Sequence, residues 1–137
     1  MTLSAEQTHE LIQAAAGALH HAYAPYSRYR VGAAVLTEQK TISAGCNVEN
    51  ASYGLTNCAE RTAVFSAVRD GCKRILAVAV VSDGASVPYP CGACRQVLIE
   101  FADPDCPVLI ARTAELETIE RTTLGDLLPN SFSFPAS

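Results

Sequence analysis

The sequence predicts an α/β fold in which a central five-stranded sheet is covered by helices. Two observations lead to this fold class. Several short segments are apolar throughout, as in strands that are buried on both faces, and segments with helical spacing of apolar residues separate most of them. The resulting order is α-β-β-α-β-α-β-β-α, which indicates helices packed on a sheet. With 137 residues, we expect a single domain, residues 1–137, with a sizeable core.

The predicted elements follow from local signals along the chain. Ser4 and Gln7 are placed as in a capping box, and Asn57 and Gly71 as the N-cap and the end of the second helix. The short turn at residues 38–40 indicates an antiparallel hairpin. The expected helices are about residues 4–23, 58–70, 91–101 and 124–128, and the expected strands are residues 31–36, 41–48, 75–81, 108–111 and 117–121.

Composition excludes several classes of protein. The chain is 49% hydrophobic and 18% charged, with both signs interspersed, so disorder is not expected. The net charge of −4 argues against a nucleic-acid partner, which favours a basic face. The sequence has no run of eighteen apolar residues, so no membrane span is expected. It also shows no N-terminal basic segment followed by an apolar one, so no secretory signal is expected. We therefore expect a cytoplasmic protein that acts on a small molecule.

Two cysteine motifs predict a metal site. Cys91 and Cys94 form a Cys-x-x-Cys pair, and Cys58 precedes them by 33 residues. Residues at i and i+3 share one face of a helix, so the pair presents two sulfurs together. Three protein ligands leave the fourth position of a tetrahedral Zn²⁺ open, which is typical of catalytic sites. Glu60 lies two residues after the first ligand and is the candidate acid/base.

Other interpretations of these cysteines stay open at this point. Six cysteines could form three disulfides, although that pattern belongs to short secreted chains. The Cys-x-x-Cys pair alone could be a redox pair, and Glu60 could cap its own helix together with Asn57. A structural zinc site would need a fourth ligand, for which the remaining cysteines are Cys46, Cys72 and Cys106.

Electrostatics adds a condition to the zinc hypothesis. Three thiolates and one Zn²⁺ leave a net-negative centre, and both motifs are predicted where a loop enters a helix. Helix N-termini carry about +0.5 of a charge each, so two of them would offset part of the excess. Arg61 follows Glu60 directly and would offset more by donating to a ligand sulfur.

Longer segments carry a family resemblance. The paired motifs match the zinc deaminase signature in its three-cysteine form. Four segments, residues 26–34, 45–53, 58–63 and 90–97, resemble the small homotetrameric cytidine deaminases. This resemblance implies a cytidine-deaminase-like three-layer α/β/α fold with a mixed five-stranded sheet. It also implies hydrolytic deamination of cytidine and 2′-deoxycytidine to uridine and 2′-deoxyuridine, in pyrimidine salvage.

The resemblance also assigns roles to residues. One Zn²⁺ per subunit would activate water, with Glu60 as the proton shuttle. Asn47 and Glu49 would grip the ribose, and the Ala59 backbone would contact the pyrimidine edge. Tyr29 stands where the family usually has Phe against the base; its ring can still stack, but its hydroxyl needs a partner.

Two aromatic side chains would act across subunits. Phe132 resembles a C-terminal aromatic residue that reaches a neighbouring subunit's pocket, with Phe134 competing for the role, and both could instead be core anchors. Tyr53 would also approach a neighbouring site. The active unit would then be a homotetramer.

Three rivals share parts of this pattern. Another small-molecule deaminase, such as a blasticidin S deaminase, would share the metal and acid motifs. A nucleic-acid-editing deaminase would need a basic groove that the sequence lacks. A non-catalytic zinc module would need four protein ligands or a metal without exchangeable water.

Overall fold

Five strands form one mixed sheet in the computed structural model, which describes residues 2–135. The sheet order is β2-β1-β3-β4-β5, in which β3 and β4 are parallel and the other neighbours are antiparallel. The strands are β1 Val31–Thr37, β2 Ile42–Cys46, β3 Ile75–Ser82, β4 Pro107–Arg112 and β5 Glu115–Thr123. The helices are α1 Ala5–Leu19, α2 Ala59–Arg69, α3 Gly92–Phe101 and α4 Leu124–Leu127, with a 3₁₀ turn at Tyr53–Leu55. The predicted five-stranded α/β fold is confirmed.

Helices cover the sheet on both faces, which gives three layers. Side chains of a strand alternate between the two faces, and the buried residues of β1, β3 and β4 divide accordingly. One face packs against α1, and the other packs against α2 and α3. The α1 layer contains Leu11, Ile12, Ala15, Leu19, Ala34, Leu36, Ala79, Val81 and Leu109, and the opposite layer contains Val35, Val78, Val80, Ile110, Ala63, Val64 and Leu98.

Two glycines let helices lie directly against the strands. A Cβ on Gly32 of β1 would lie 1.9 Å from the carbonyl oxygen of Ala15 in α1. A Cβ on Gly45 of β2 would lie 2.5 Å from the backbone nitrogen of Ala63 in α2. Real Cβ atoms do not approach backbone atoms so closely, so only glycine, which has no Cβ, fits at either position. The two contacts fix α1 and α2 on opposite faces of the same hairpin.

Some predicted boundaries were wrong. The first helix ends at Leu19, not near residue 23, because residues 20–22 form tighter i→i−3 hydrogen bonds and Tyr23 then leaves to bridge Val48. Asn57 is not the N-cap of α2. Cys58 occupies that position, and the Asn57 side chain donates to Thr62 Oγ1 at 3.0 Å. The capping box of Ser4 and Gln7 is confirmed.

None of the helices in residues 2–135 combines the length and apolar character that crossing a lipid bilayer requires.

Replacing Gly32 by Ala tests the contact between α1 and β1. The added methyl group meets backbone, which cannot rotate away, so we expect the free energy of unfolding to fall by about 2–3 kcal/mol. Urea denaturation measures this change. Gly17→Ala is the matched control, because Gly17 lies on the exposed side of α1 with nothing within 4 Å of its Cβ position. The control should gain about 0.5–1 kcal/mol. Equal stabilities of the two variants would contradict the packing described.

Candidate active site

The predicted metal ligands lie at the N-termini of two helices. Cys58 is the N-cap of α2 and Cys91 is the N-cap of α3, both with extended backbone (ψ of 155° and 169°). Neither helix has a side-chain cap, so no capping oxygen competes for the first-turn amides. Cys94 lies in the first turn of α3. The prediction that both motifs stand where a loop enters a helix is confirmed.

The three thiols have the spacing of ligands around one ion. The Sγ atoms of Cys58 and Cys91 are 3.9 Å apart, and those of Cys91 and Cys94 are 3.5 Å apart. A tetrahedral Zn²⁺ with Zn–S distances of about 2.3 Å places its sulfurs about 3.8 Å from one another. Within residues 2–135, no fourth histidine, cysteine or carboxylate joins this group. The cluster therefore fits one Zn²⁺ and leaves a tetrahedral position free.

The remaining cysteines do not support the competing interpretations. All six cysteines are free thiols, so the three-disulfide alternative is wrong. Cys72 and Cys106 are buried, and their sulfurs point to the backbone carbonyls of Arg74 and Pro107. Cys46 is half-buried at the end of β2, outside the thiol cluster. None of these three is placed to be a fourth ligand.

A positively charged side chain contacts the cluster at Cys58. Arg61 is one turn further along α2, and its Nη2 donates to Cys58 Sγ at 3.2 Å. The hydrogen bond with Cys94 and the Arg61 guanidinium lower the pKa of the Cys58 thiol, because both favour its thiolate form. The surroundings of Cys58 thus favour the thiolate, which is the form that binds a metal ion. Arg61 therefore donates to a ligand sulfur, as the sequence predicted for a net-negative metal centre.

Glu60 is a buried carboxyl group beside the thiols. It follows the N-cap by two residues and is 5% exposed. Burial raises the pKa of Glu60 to about 7, since a low-dielectric environment disfavours the charged form, and the Cys58 thiolate acts in the same direction. A carboxyl group of this kind can both accept and release a proton near neutral pH.

A cavity of about 190 Å³ connects these groups with several predicted binding residues. It is smaller than typical drug-sized pockets of about 300–1,000 Å³, which suits a single small ring better than a polymer. Its lining comprises Tyr29, Val31, Asn47, Thr56, Asn57, Cys58, Ala59, Glu60, Val80, Pro88, Tyr89 and Cys91. The structure therefore brings Tyr29, Asn47 and Ala59 into one cavity wall with Glu60 and with two of the three predicted ligands, Cys58 and Cys91.

Tyr29 and Asn47 are held in this wall by different means. The Tyr29 ring lies on the backbone of Gly84, where a Cβ would come within 2.4 Å of Tyr29 Cε1. The buried Asn47 side chain donates to the Tyr29 carbonyl oxygen at 2.8 Å and accepts from the Val31 amide at 2.9 Å. Asn47 thus shapes the loop before β1, and its amide keeps one N–H for a ligand.

Glu49 lines a neighbouring cavity instead. Its Oε1 accepts from the amides of Tyr26 and Ser27 at 3.0 and 3.1 Å, and its Oε2 accepts from the Ser27 hydroxyl. The hydrogen bond from that hydroxyl is the main cause of the lowered pKa of Glu49. Thr56 lies between the two cavities and lines both. Asn47 and Glu49 are therefore close in the chain but do not share one cavity wall.

The aromatic residues expected to act across subunits are exposed. Tyr53 is 78% exposed and meets Tyr26 edge to face, with ring centroids 6.5 Å apart. Phe132 is 70% exposed and Phe134 is 83% exposed, so neither is a core anchor within this chain. The carbonyl oxygen of Phe132 accepts a hydrogen bond from Gln96 of α3 at 3.3 Å.

An ion pair beside the cavity was not predicted from sequence. Arg30 donates through its backbone nitrogen and its Nε to the Asp83 carboxylate, at 2.9 and 2.8 Å. The pair joins the loop before β1 to the loop after β3, the segments that carry Tyr29 and Gly84. Fifty-three residues separate Arg30 from Asp83, so no local sequence pattern could have linked them. The sequence indicated only that both residues lie close to the ends of predicted strands.

Comparisons with known proteins agree with this geometry. The family model described as "Cytidine and deoxycytidylate deaminase zinc-binding region" matches residues 5–110. A cytidine deaminase of Sporosarcina psychrophila is 49% identical over 124 residues, which are 90% of this chain and 90% of that protein. The crystal structure of cytidine deaminase from Burkholderia pseudomallei superposes with a TM-score of 0.84 at 49% identity, covering 90% of this chain and 98% of that one.

A more distant relative marks the main rival. A blasticidin-S deaminase of Bacillus cereus is 31% identical over 136 residues, covering 93% of this chain and 94% of that protein. Identity to the cytidine deaminase of Sporosarcina psychrophila is higher, at 49%, so the rival is not favoured. The chain therefore belongs to the zinc-dependent cytidine and deoxycytidylate deaminase family.

Proposed function

We propose that this chain is an enzyme that hydrolyses cytidine and 2′-deoxycytidine to uridine and 2′-deoxyuridine with release of ammonia. The observation that carries the proposal is the position of buried Glu60 in the same small cavity as Cys58 and Cys91, two members of the three-thiol cluster. The similarity to cytidine deaminases over about nine-tenths of the chain supports the same activity.

The chemistry divides between the metal and one carboxylate. Cys58, Cys91 and Cys94 would hold a Zn²⁺ ion, which would lower the pKa of water and so supply hydroxide near neutral pH. Glu60 takes the proton that water gives up and delivers it to N3 of the cytosine ring, which makes C4 more electrophilic. After the hydroxide oxygen bonds to C4, Glu60 would move the remaining proton of that oxygen to the amine, so that the C4–N bond breaks and ammonia leaves. The raised pKa of Glu60 suits a group that must act as base and then as acid.

The cytosine ring would be held by the walls of the cavity. The Ala59 backbone stands between Cys58 and Glu60 and would contact the pyrimidine edge. The Tyr29 ring would stack on the base, and the residue is 39% exposed, so part of it faces the open side of the cavity. These two contacts would orient C4 towards the thiol cluster.

The sugar would lie towards the neighbouring cavity. Asn47 offers an amide N–H from the wall of the first cavity, and Glu49 offers carboxylate oxygens from the second. Two vicinal hydroxyl groups are suited to such a pair of partners. Glu49 would then contact the sugar while it holds the 26–27 turn, because a carboxylate accepts about four hydrogen bonds.

We further propose that the whole chain, residues 1–137, is one domain and works as a cytoplasmic homotetramer in pyrimidine salvage. Exposed Phe132 and Tyr53 support the assembly, because large aromatic groups at such exposure are suited to contacts with neighbouring subunits. The acidic net charge supports a nucleoside rather than a nucleic-acid substrate.

A substrate panel tests the proposed activity. The purified protein should release ammonia from cytidine and 2′-deoxycytidine. Cytosine should be turned over with much lower kcat/KM, because it lacks the sugar that Asn47 and Glu49 are proposed to bind. Blasticidin S should be a poor substrate. Turnover of blasticidin S with no turnover of either nucleoside would assign the chain to the rival activity.

Glu60→Gln tests the proton shuttle. The amide keeps the size of the side chain but cannot transfer protons, so we expect kcat for cytidine to fall by at least about 10³-fold. Bound zinc, measured by atomic absorption, should stay at one per subunit. Glu100→Gln is the matched control, since Glu100 is an exposed glutamate on α3, and it should keep parental kcat. Retained activity in Glu60→Gln would overturn the role of this carboxylate.

A further inference from the structure

Arg95 of α3 connects two backbone segments through its side chain. Its Nε donates to the carbonyl oxygen of Pro90 at 2.7 Å, and its Nη1 donates to the carbonyl oxygen of Leu127 at 2.7 Å. Both bonds are charge-assisted and short, which places them among the stronger hydrogen bonds of a protein. Neither partner belongs to the thiol cluster, so the family motif of three cysteines does not explain this side chain.

The first bond acts on the peptide group that precedes a metal ligand. Pro90 is buried, and its carbonyl belongs to the peptide group that joins it to Cys91. The carbonyl of Cys91 itself accepts from the backbone nitrogen of Arg95 at 2.9 Å. One residue therefore holds the peptide groups on both sides of Cys91, and these two groups determine the direction of the Cα–Cβ bond that carries the sulfur.

Cys91 is the ligand with the greatest need for such support. It is exposed, whereas Cys58 is half-buried and Cys94 is buried. As the N-cap of α3 it also has no side-chain capping bond. Cys58 has the Arg61 guanidinium at its sulfur, and Cys94 is fixed by the core around it. Within residues 2–135, the hydrogen bonds of the Cys91 sulfur go to the other two thiols, so its support from outside the cluster comes through the backbone.

The second bond connects the same residue to the C-terminal segment. Leu127 is the last residue of α4, and the final carbonyls of a helix have no partner within it. A cation at that end is favourable for the helix dipole as well. The next residue of α3, Gln96, donates to the carbonyl of Phe132 at 3.3 Å. Adjacent residues of α3 thus hold the chain after α4 next to the helix that begins at Cys91.

We propose that Arg95 is a positioning residue for the metal centre: it fixes the backbone around Cys91 and couples the C-terminal segment to that ligand. The proposal rests on the proposed zinc site. It adds to that site a stabilising side chain, Arg95, which is not one of the metal ligands. Loss of such an outer partner typically costs about 10-fold to 100-fold in metal affinity. A purely structural role at α4 would lower stability and leave the metal site unchanged.

The test compares Arg95→Met with Arg95→Lys in the full-length zinc protein. Zinc affinity is measured by competition with a chromophoric chelator, and the metal environment by the thiolate-to-metal absorption of the Co²⁺-substituted protein. Arg95→Met removes both donors, so affinity should fall about 10-fold to 100-fold with a weaker or shifted Co²⁺ band. Arg95→Lys keeps a cation with fewer geometrically fixed donors and should lie between the parent and Arg95→Met.

Arg74→Met is the matched control, because Arg74 pairs with Asp103, beyond the end of α3 opposite to Cys91. Its zinc affinity and Co²⁺ band should equal those of the parent. Parental affinity and band in folded Arg95→Met would overturn the proposal, even if its melting temperature is lower. If Arg95→Met does not fold, Arg95→Lys decides, and parental values in it would overturn the proposal. A parent that binds zinc without deaminating nucleosides would refute the proposed function and leave this test intact.

Discussion

The structure depends on keeping three sulfurs within a few ångströms of one another on two separate helices. The Sγ atoms of Cys91 and Cys94, 3.5 Å apart, both belong to the start of α3, so their spacing is local. The 3.9 Å between the Sγ atoms of Cys58 and Cys91 joins the starts of α2 and α3, which are 33 residues apart, and depends on how both helices pack on one face of the sheet. Gly45 lets α2 approach β2, and Leu98 anchors α3 in the same layer. A shift of either helix by an ångström would open the triangle of sulfurs.

Electrostatics explains why helix N-termini are used for this purpose. Three thiolates repel one another, and even a divalent cation leaves the centre net negative. The amide groups at the beginning of α2 and α3 and the Arg61 guanidinium supply positive potential from fixed positions. Burial of Glu60 beside the cluster raises its pKa to about 7. One local arrangement thus provides the ligands, their compensation and the carboxyl group that the proposed proton transfers need.

Sequence reasoning succeeded where the signal was local. The spacing of the two cysteine motifs predicted Cys58, Cys91 and Cys94 as one set of ligands. Apolar runs separated by helical segments predicted five strands in nearly the observed positions. Arg61 was expected to donate to a ligand sulfur because it follows Glu60 directly and the metal centre would be net negative, and it does donate to Cys58 Sγ.

It failed where a contact joins distant parts of the chain. The bonds from Ser27 to Glu49, from Arg30 to Asp83 and from Arg95 to Leu127 span 22 to 53 residues. No periodicity or motif encodes such pairs, since they arise only when the strands and helices have assembled.

X-ray absorption at the zinc edge tests the central claim most directly, because it counts the ligands of the bound metal. For the purified protein, the account predicts three sulfur atoms at about 2.3 Å and one oxygen or nitrogen atom at about 2.0 Å. Addition of a nucleoside analogue should alter the oxygen or nitrogen contribution and leave the sulfur contribution unchanged. Four sulfur ligands would show a closed structural site and contradict the account. An oxygen or nitrogen contribution that does not change when the analogue is added would contradict it as well.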